Sequence, residues 1–486
     1  MVATDRIIYI VTKMNRSFVL ILSFGILLNL FAENWQIQPL DSAGGFINDA
    51  SIVLDTQDRP HIIYPWARQL GANLEEFWVK YAKWNGQAWE FQAVDTIVAD
   101  GGPIFFSTKL CLDNQNHAHT AYLIRNYNPQ TGRNWIKIIY TYWNGTSWQK
   151  SIIDSLNVTN DYVGAYIDQR NLDLALNHYN IPYLSYPYIN LFDSTWQVRC
   201  AYKESDTWII KTVWQQPLTL QTYRTRIAID TADVPYITFD VNRNNQPPSL
   251  ILCARFAGDT WTIETVDSFP TSLAFVYSLK IDGINRLHLL FDCDFYVFYA
   301  LKQGNEWNIE FIGSSDENEN HGDLALYQNE PYIVFSSPMT HVSYFYKDTA
   351  WHHEIIDSEY PGLYPSIAID HQGNKHVSYV RFGYPCYLCY ARRIAPGIEE
   401  NEIAVLPRQT SNDFVVYPNP ARTFFTIRLP QTANRSLIKI FDVTGKVVKE
   451  LRSLGNRELM FTLKGIKPGI YFIQVDKYTK KIIVTK

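Results

Sequence analysis

The chain has 486 residues, 47% hydrophobic and 15% aromatic, with a formal net charge of −5, enough to bury a large core in two or three domains. Residues 33–412 hold 26 Lys/Arg against 42 Asp/Glu, net −16, and residues 413–486 hold 14 against 5, net +9. An acidic body this large excludes a nucleic-acid partner, because neutralising phosphates takes Lys and Arg, and six cysteines in a chain of this length exclude a disulfide scaffold.

The front of the chain, Met14 to Ala32, reads MNRSFVLILSFGILLNLFA. A basic start at Arg16, an apolar run and a small residue before Glu33 have the pattern of a secretory signal peptide over 1–32. The residues before Met14 are then an extended leader or a misassigned start. No other stretch is apolar enough for a membrane span, so the mature protein is expected to have no transmembrane segment.

Past the leader one unit recurs seven times, most clearly at Ser366–Tyr379, SIAIDHQGNKHVSY. A period of about 45–60 residues belongs to propellers and solenoids. Apolar residues alternate over short runs separated by turns rich in Asp, Asn and Gly, the pattern of antiparallel strands. Each unit contains four runs: an inner one ending at Asp55, Asp113, Asn177, Asp230, Asp282, Tyr327 or Asp370; a second led by His61, His119, Tyr183, Tyr236, His288, Tyr332 or His376; a third such as VKYAKW; and a fourth led by Trp89, Trp148, Trp208, Trp261, Trp307 or Trp351. Four strands per unit make a propeller blade. The seventh unit lacks a Trp-led run, and WQIQPLD, from Trp35, stands before the first unit. The expected fold is all-β: a seven-bladed propeller over 33–395, closed by its N-terminal strand, which removes two open sheet edges. The Trp and His/Tyr positions, repeated in blade after blade, read as packing between blades rather than as a ring of metal ligands. Cys386 and Cys389, three apart in a strand, point to opposite faces.

The turns between first and second strands, and between third and fourth, are short and share one face. The connections on the opposite face are longest in blades one to four, so a lopsided, loop-rich mouth is expected there, where binding usually resides. Those loops carry Trp66, Arg68, Arg125, Tyr127, Tyr188 and Arg243, with Arg381 and Tyr384 opposite and Asp292 on a short loop of blade five. Aromatic faces stack on sugars and guanidinium forks bind carboxylates. Asp316, Asn318, Asn320 and Asp323, in DENENHGD, are candidates for a calcium loop, although the glycine falls one place late; otherwise no cofactor is expected. GxSxG, HExxH and phosphate-binding glycine motifs are absent. The sequence therefore favours binding over catalysis: an extracellular glycan or protein held at the loop-rich face. A polysaccharide hydrolase or lyase with its site in the same mouth, and a structural surface protein, are the alternatives.

A polar, proline-bearing linker over 396–412 precedes short strands over 413–486, which suit a small Ig-like β-sandwich. Four motifs stand there in order: Tyr417-Pro418-Asn419-Pro420, IFDVTGKVV with Gly445, PGIYFIQV with Gly469 and Tyr471, and the closing KKIIVTK. In these motifs the last 70 or so residues resemble the C-terminal sorting domain of the type IX secretion system. The resemblance implies export through the inner membrane, then recognition of this tail by the secretion machinery and passage across the outer membrane, with the protein secreted or attached to the outer surface. The repeat units also resemble secreted bacterial propellers of the sialidase-like and lectin-like kind. The turns lack the Ser-x-Asp-x-Gly-x-x-Trp box of sialidases, which counts against a glycosidase.

Overall fold

The computed structural model describes residues 35–43, 47, 49–69, 74–100, 104–128, 133–158, 172–243, 246–294, 296–314, 321–336, 341–383 and 385–395. In the tail it describes 414–417, 421, 424–429, 437–442, 446–452, 458–463, 466–475 and 478–485. The leader and the linker lie outside the described residues.

Seven four-stranded antiparallel sheets follow one another along the chain. With strands a to d in order, blade 1 is Ser51–Leu54, Pro60–Gln69, Leu74–Trp84 and Trp89–Asp100, and blade 2 is Ile104–Leu112, Ala118–Asn128, Arg133–Trp143 and Trp148–Val158. Blade 3 is Asp173–Leu176, Pro182–Asn190, Thr195–Glu204 and Thr207–Pro217, and blade 4 is Thr225–Ile229, Pro235–Arg243, Gln246–Ala257 and Thr260–Phe269. Blade 5 is Ala274–Ile281, Leu287–Cys293, Tyr296–Gln303 and Glu306–Ser314, and blade 6 is His321–Tyr327, Glu330–Ser336, Ser343–Lys347 and Trp351–Ile355. Blade 7 takes Gly362–Ile369, Lys375–Arg381 and Cys386–Arg393, and its strand d is the N-terminal Gln36–Ala43. Gln36 pairs with Arg392 and Ala43 with Cys386. Strand a of each blade touches strand a of the next, and that of blade 7 touches that of blade 1, so the ring is closed.

The repeated aromatics seal the seams. Trp89, which opens strand d of blade 1, packs edge-on against Tyr390 of blade 7 at 5.2 Å. Trp148 meets Tyr81, Trp208 meets Tyr140, Trp351 meets Tyr299 and Trp35 meets Tyr344 in the same way, at 5.1–5.4 Å. T-shaped pairs suit the ring quadrupoles. In blades 3 and 4 the tyrosine's place is held by Cys200 and Cys253, packed in clusters with Trp261 and Trp307. The six cysteines are unpaired, and burial pushes the thiols of Cys111, Cys200 and Cys253 up to about 12.

Behind four of these tyrosines stands a histidine on strand b and an aspartate at the end of strand a. His288 Nε2 lies 3.2 Å from Asp282 and Nδ1 2.7 Å from the Tyr299 hydroxyl. His376 repeats this with Asp370 and Tyr390, at 3.2 and 2.7 Å. His61, between Asp55 and Tyr81, and His119, between Asp113 and Tyr140, complete the set. A carboxylate only accepts, so Nε2 carries the proton and Nδ1 accepts from the phenol. Each imidazole is thus held neutral and packed.

The same aspartates close the a–b turns. Asp55 Oδ1 accepts the N–H groups of Gln57 and Arg59. Asp58, Asn116, Asn180, Asp233, Asn285 and Gly373 in these turns have φ of 60–82°, which Asn, Asp and Gly tolerate best. Their side chains stitch five of the seven seams: Asn116 accepts from Thr56 N–H, Asn180 from Asn114, Asp233 from His178, Asn285 from Thr231 and Asp58 from His371. At Gly373 there is no side chain to reach across.

The tail consists of a three-stranded sheet of Val415–Tyr417, Phe424–Arg428 and Glu458–Thr462, and a four-stranded sheet of Val447–Arg452, Leu437–Asp442, Gly469–Val475 and Tyr478–Val484. Phe425 and Ile427 of the first sheet share a buried core with Ile438, Ile440 and Ile473 of the second, giving a two-sheet sandwich.

Candidate functional site

The two ends of the ring differ. One is closed by the stitched a–b turns. At the other, strand b continues past its buried Tyr or Phe by five residues in blade 1 and six in blade 2. The continuation is four residues in blades 3 and 4, two in blades 5 and 7, and one in blade 6. At roughly 3.3 Å per residue the blade 2 hairpin stands about 20 Å above that tyrosine and the blade 6 hairpin about 3 Å. Among the described residues the taller side of the mouth is therefore built from strands. Trp66, Arg68, Arg125, Tyr127, Tyr188 and Arg243 lie in strand b of their blades, and Asp292 and Arg381 also lie within strands. This corrects the expectation of a loop-borne site: alternating apolar residues carry the pairing on beyond the core.

The largest drop between neighbours beside an aromatic is from blade 1 down to blade 7. On strand b of blade 1, Ile62 and Tyr64 join the cluster shared with Val380, Leu388 and Tyr390 of blade 7, and Trp66 packs on top of it. Strand b of blade 7 ends level with Trp66, at Arg381, and below Arg68. The flank beside it carries Trp66 and its cross-strand partner Trp78, both half-buried, edge to face at 6.0 Å. Trp66 Nε1 donates to Ser42 O at 2.9 Å, and Lys80 Nζ sits 3.9 Å above the Trp66 ring. Lys80 also donates to Asp41 Oδ2 at 2.8 Å, and Arg68, half exposed, pairs with Glu76 at 2.6 Å. Two cations and two carboxylates leave the flank locally neutral. Trp78 and Lys80 were not singled out from sequence; the cross-strand register that sets them beside Trp66 was the missing signal.

The other sequence candidates are spread over separate blades. Tyr188 lies under the Arg199 guanidinium, 3.3 Å away, and Arg199 pairs with Asp154 at 2.8 Å. Arg243 is exposed at the top of the blade 4 hairpin, opposite Gln246. Arg125 and Tyr127 stand opposite Ile136 and Asn134; their side chains, and Tyr384, lie outside the described residues. Arg381 is buried, 2.8 Å from Asp357 and stacked on Tyr360 at 4.2 Å. Asp292 is buried and accepts from the Tyr277 hydroxyl at 2.9 Å. Asp316, Asn318 and Asn320 fall outside the described residues, and Asp323 faces inward rather than into a calcium loop. No group of three or more His, Cys, Asp or Glu among the described residues could hold a metal ion.

Asp323 belongs to a set of charges on the ring axis that sequence reading passed over. Its carboxylate accepts from Ser278 Oγ at 2.8 Å, Ser366 Oγ at 2.7 Å and Ile367 N–H at 3.2 Å. Burial alone would raise it, but Lys280 and Lys109 hold it below the usual carboxylate range. Arg226 donates to the carbonyls of Tyr277 and Thr225, and Asp173 accepts from Ile227 N–H at 3.0 Å. The axial space lined by Asp49, Lys109, Arg226, Tyr277, His321 and Asp323 holds about 30 Å³ for the centre of a water, room for one or two waters and none for a sugar ring. Nearby Asp240, buried and pushed up to about 6 by desolvation, accepts from the Tyr223 and Arg224 N–H groups. The signal of four of them was a charged residue at one fixed place in strand a, where the other blades carry Ser51, Ser278 and Ser366: Lys109, Asp173, Arg226 and Asp323.

Of the sorting motif, Tyr417 ends the strand Val415–Tyr417, Gly469 opens the strand Gly469–Val475, and Tyr471 is buried with its hydroxyl donated to Lys467 O at 2.7 Å. Pro418, Asn419, Pro420 and Gly445 lie outside the described residues.

Residues 415–485 match the family described as the secretion system C-terminal sorting domain. No curated protein matches the chain. Similar solved structures include an α-L-arabinanase of Penicillium chrysogenum complexed with arabinobiose, with 9% identity over 60% of this chain and 93% of the other and a TM-score of 0.41. They also include a Dyadobacter fermentans protein of unknown function, with 8% identity over 74% and 99% and a TM-score of 0.43. An ulvan lyase is similar at 8% identity over 72% and 95%, with a TM-score of 0.46. With its sorting domain, the protein is cargo of the type IX secretion system, secreted or displayed at the cell surface.

Proposed function

We propose that this exported propeller binds an extracellular glycan on the flank of blade 1, through Trp66 and Trp78, with Arg68, Glu76, Lys80 and Asp41 around them. The half-buried aromatic pair beside paired charges, on a hairpin that rises past its blade 7 neighbour, carries the reading. Indole faces stack on the C–H faces of sugars, and pre-paired cations and carboxylates offer fixed donors and acceptors to hydroxyls. The local neutrality and the acidic body favour a neutral glycan over a polyanion. Binding is favoured over hydrolysis because Asp41 Oδ2 already accepts from Tyr64 and Lys80, an arrangement that does not present a proton to a leaving group. The division into a propeller over 33–395, a linker over 396–412 and a sorting domain over 413–486 is part of the same proposal, as is an N-terminal signal peptide that starts the export.

The test is a glycan array probed with the full chain and with Trp66→Ala. Binding to neutral glycans that falls at least tenfold in the variant supports the reading. An empty array, release of cleaved products, or a protein partner captured equally by both chains would overturn it.

A further inference from the structure

The flank of blade 1 has a counterpart on blade 3. The residue before the buried strand c position that meets the next blade's tryptophan is Lys80 before Tyr81 and Arg199 before Cys200. Two residues past the buried strand b tyrosines, Tyr64 and Tyr186, stand Trp66 and Tyr188. In each case the cation lies over the ring, at 3.9 Å in blade 1 and 3.3 Å in blade 3. In each it donates at 2.8 Å to Oδ2 of an aspartate on strand d of the preceding blade, Asp41 or Asp154. The same oxygen accepts the tyrosine hydroxyl, at 2.7 Å from Tyr64 and 2.9 Å from Tyr186. The other oxygen accepts the next N–H, of Ser42 or Ser155, at 2.8 Å in both. Both sites stay partly open: the cation side chains are 17% and 16% exposed and the carboxylates 22% and 13%.

The arrangement varies around the ring: in blade 7 the cation, Arg381, itself takes the ring's place on strand b and is buried with Asp357 and Tyr379. The seam between the two sites, from blade 1 to blade 2, keeps the Asp95–Tyr122 hydrogen bond at 2.8 Å, and Lys150 of strand d, rather than a strand c residue, donates to the same oxygen. There the ring and cation positions are Ile124 and Ile139, both buried. Blade 4 has Val241 and Leu252 at those places. A strand b ring under a strand c cation that shares its carboxylate therefore recurs in blades 1 and 3, where blades 2 and 4 hold aliphatics at both places.

We infer that blades 1 and 3 carry two equivalent sites for the same neutral sugar unit, so that one propeller grips a repeating glycan at two points. This rests on the glycan reading of blade 1 and extends it to a second site. Two linked contacts raise the apparent affinity for a polymer well above that for a short fragment.

The experiment is calorimetry on the full chain with neutral gluco-, manno-, galacto- and arabino-oligosaccharides, using the shortest fragment that binds. The wild type is expected to bind two fragments per chain, Trp66→Ala one, Tyr188→Ala one, and the double variant none. Thermal melts of the same samples check folding, and Lys80→Gln and Arg199→Gln, which keep both rings, are each expected to weaken one site about tenfold. One fragment per wild-type chain, or two still bound by folded Tyr188→Ala, overturns the second site and leaves the first standing. No binding by the wild type to any member of the panel overturns both.

Discussion

His61 shows how a residue that invites a metal or catalytic reading is held by packing. Burial lowers its pKa to about 4, against the pull of Asp55 in the other direction; His119, His288 and His376 are lowered too, burial again being the largest cause. A histidine whose folded pKa is depressed favours the folded state fully above its unfolded value, near 6.5. That contribution is lost as pH falls toward about 4, because the unfolded chain takes up the proton first. For His61 alone the loss is about 3 kcal/mol. Urea denaturation is therefore expected to give a lower midpoint at pH 4.5 than at pH 7, and the difference is expected to shrink in His61→Phe; equal midpoints at the two pH values would contradict the neutral, buried imidazole. The packing role of this position was legible in sequence because Tyr replaces His from blade to blade. The axial charges were not: alternation shows that Lys109, Asp173, Arg226 and Asp323 share a strand face, but only the closed ring brings them together where their charges offset. Lys80 was missed for a related reason, since its partner Trp66 comes from a different strand.

At the level of single strands, the N-terminal Gln36–Ala43 does the work of a missing fourth strand in blade 7, with Trp35 packed edge-on against Tyr344 of blade 6. Trp35→Ala is expected to cost about 3 kcal/mol and to lower the melting temperature by several degrees; a melting curve identical to wild type would mean that this seam does not depend on the swapped strand. The swap was readable because the Trp-led run was absent at one end of the repeat and present at the other. The heights of the hairpins were misread as loops, because PWARQLGANLEE and LIRNYNPQTGRN mix polar and apolar residues without an obvious turn until their middles. In the structure strand b pairs with strand c out to Gln69 and Glu75 in blade 1 and Asn128 and Arg133 in blade 2.

For the whole molecule, the address lies in the tail and the proposed binding surface in the propeller. The tail motifs were legible because they are short, ordered and tied to one family; the proposed site was not, since it depends on how far each blade's hairpin rises. Removing residues 415–485 is expected to leave the protein inside the cell envelope, with the propeller still folded; cell fractionation that finds the shortened chain outside the cell at wild-type levels would show that the tail is dispensable for export.

The pairing of Gln36–Ala43 with Cys386–Arg393 also sets an order of events. The segment that emerges early has to wait for one made almost at the end of the wheel, and joining such distant stretches is entropically slow. The wheel therefore cannot close before nearly all of its chain is available, and an unfinished chain keeps an open seam.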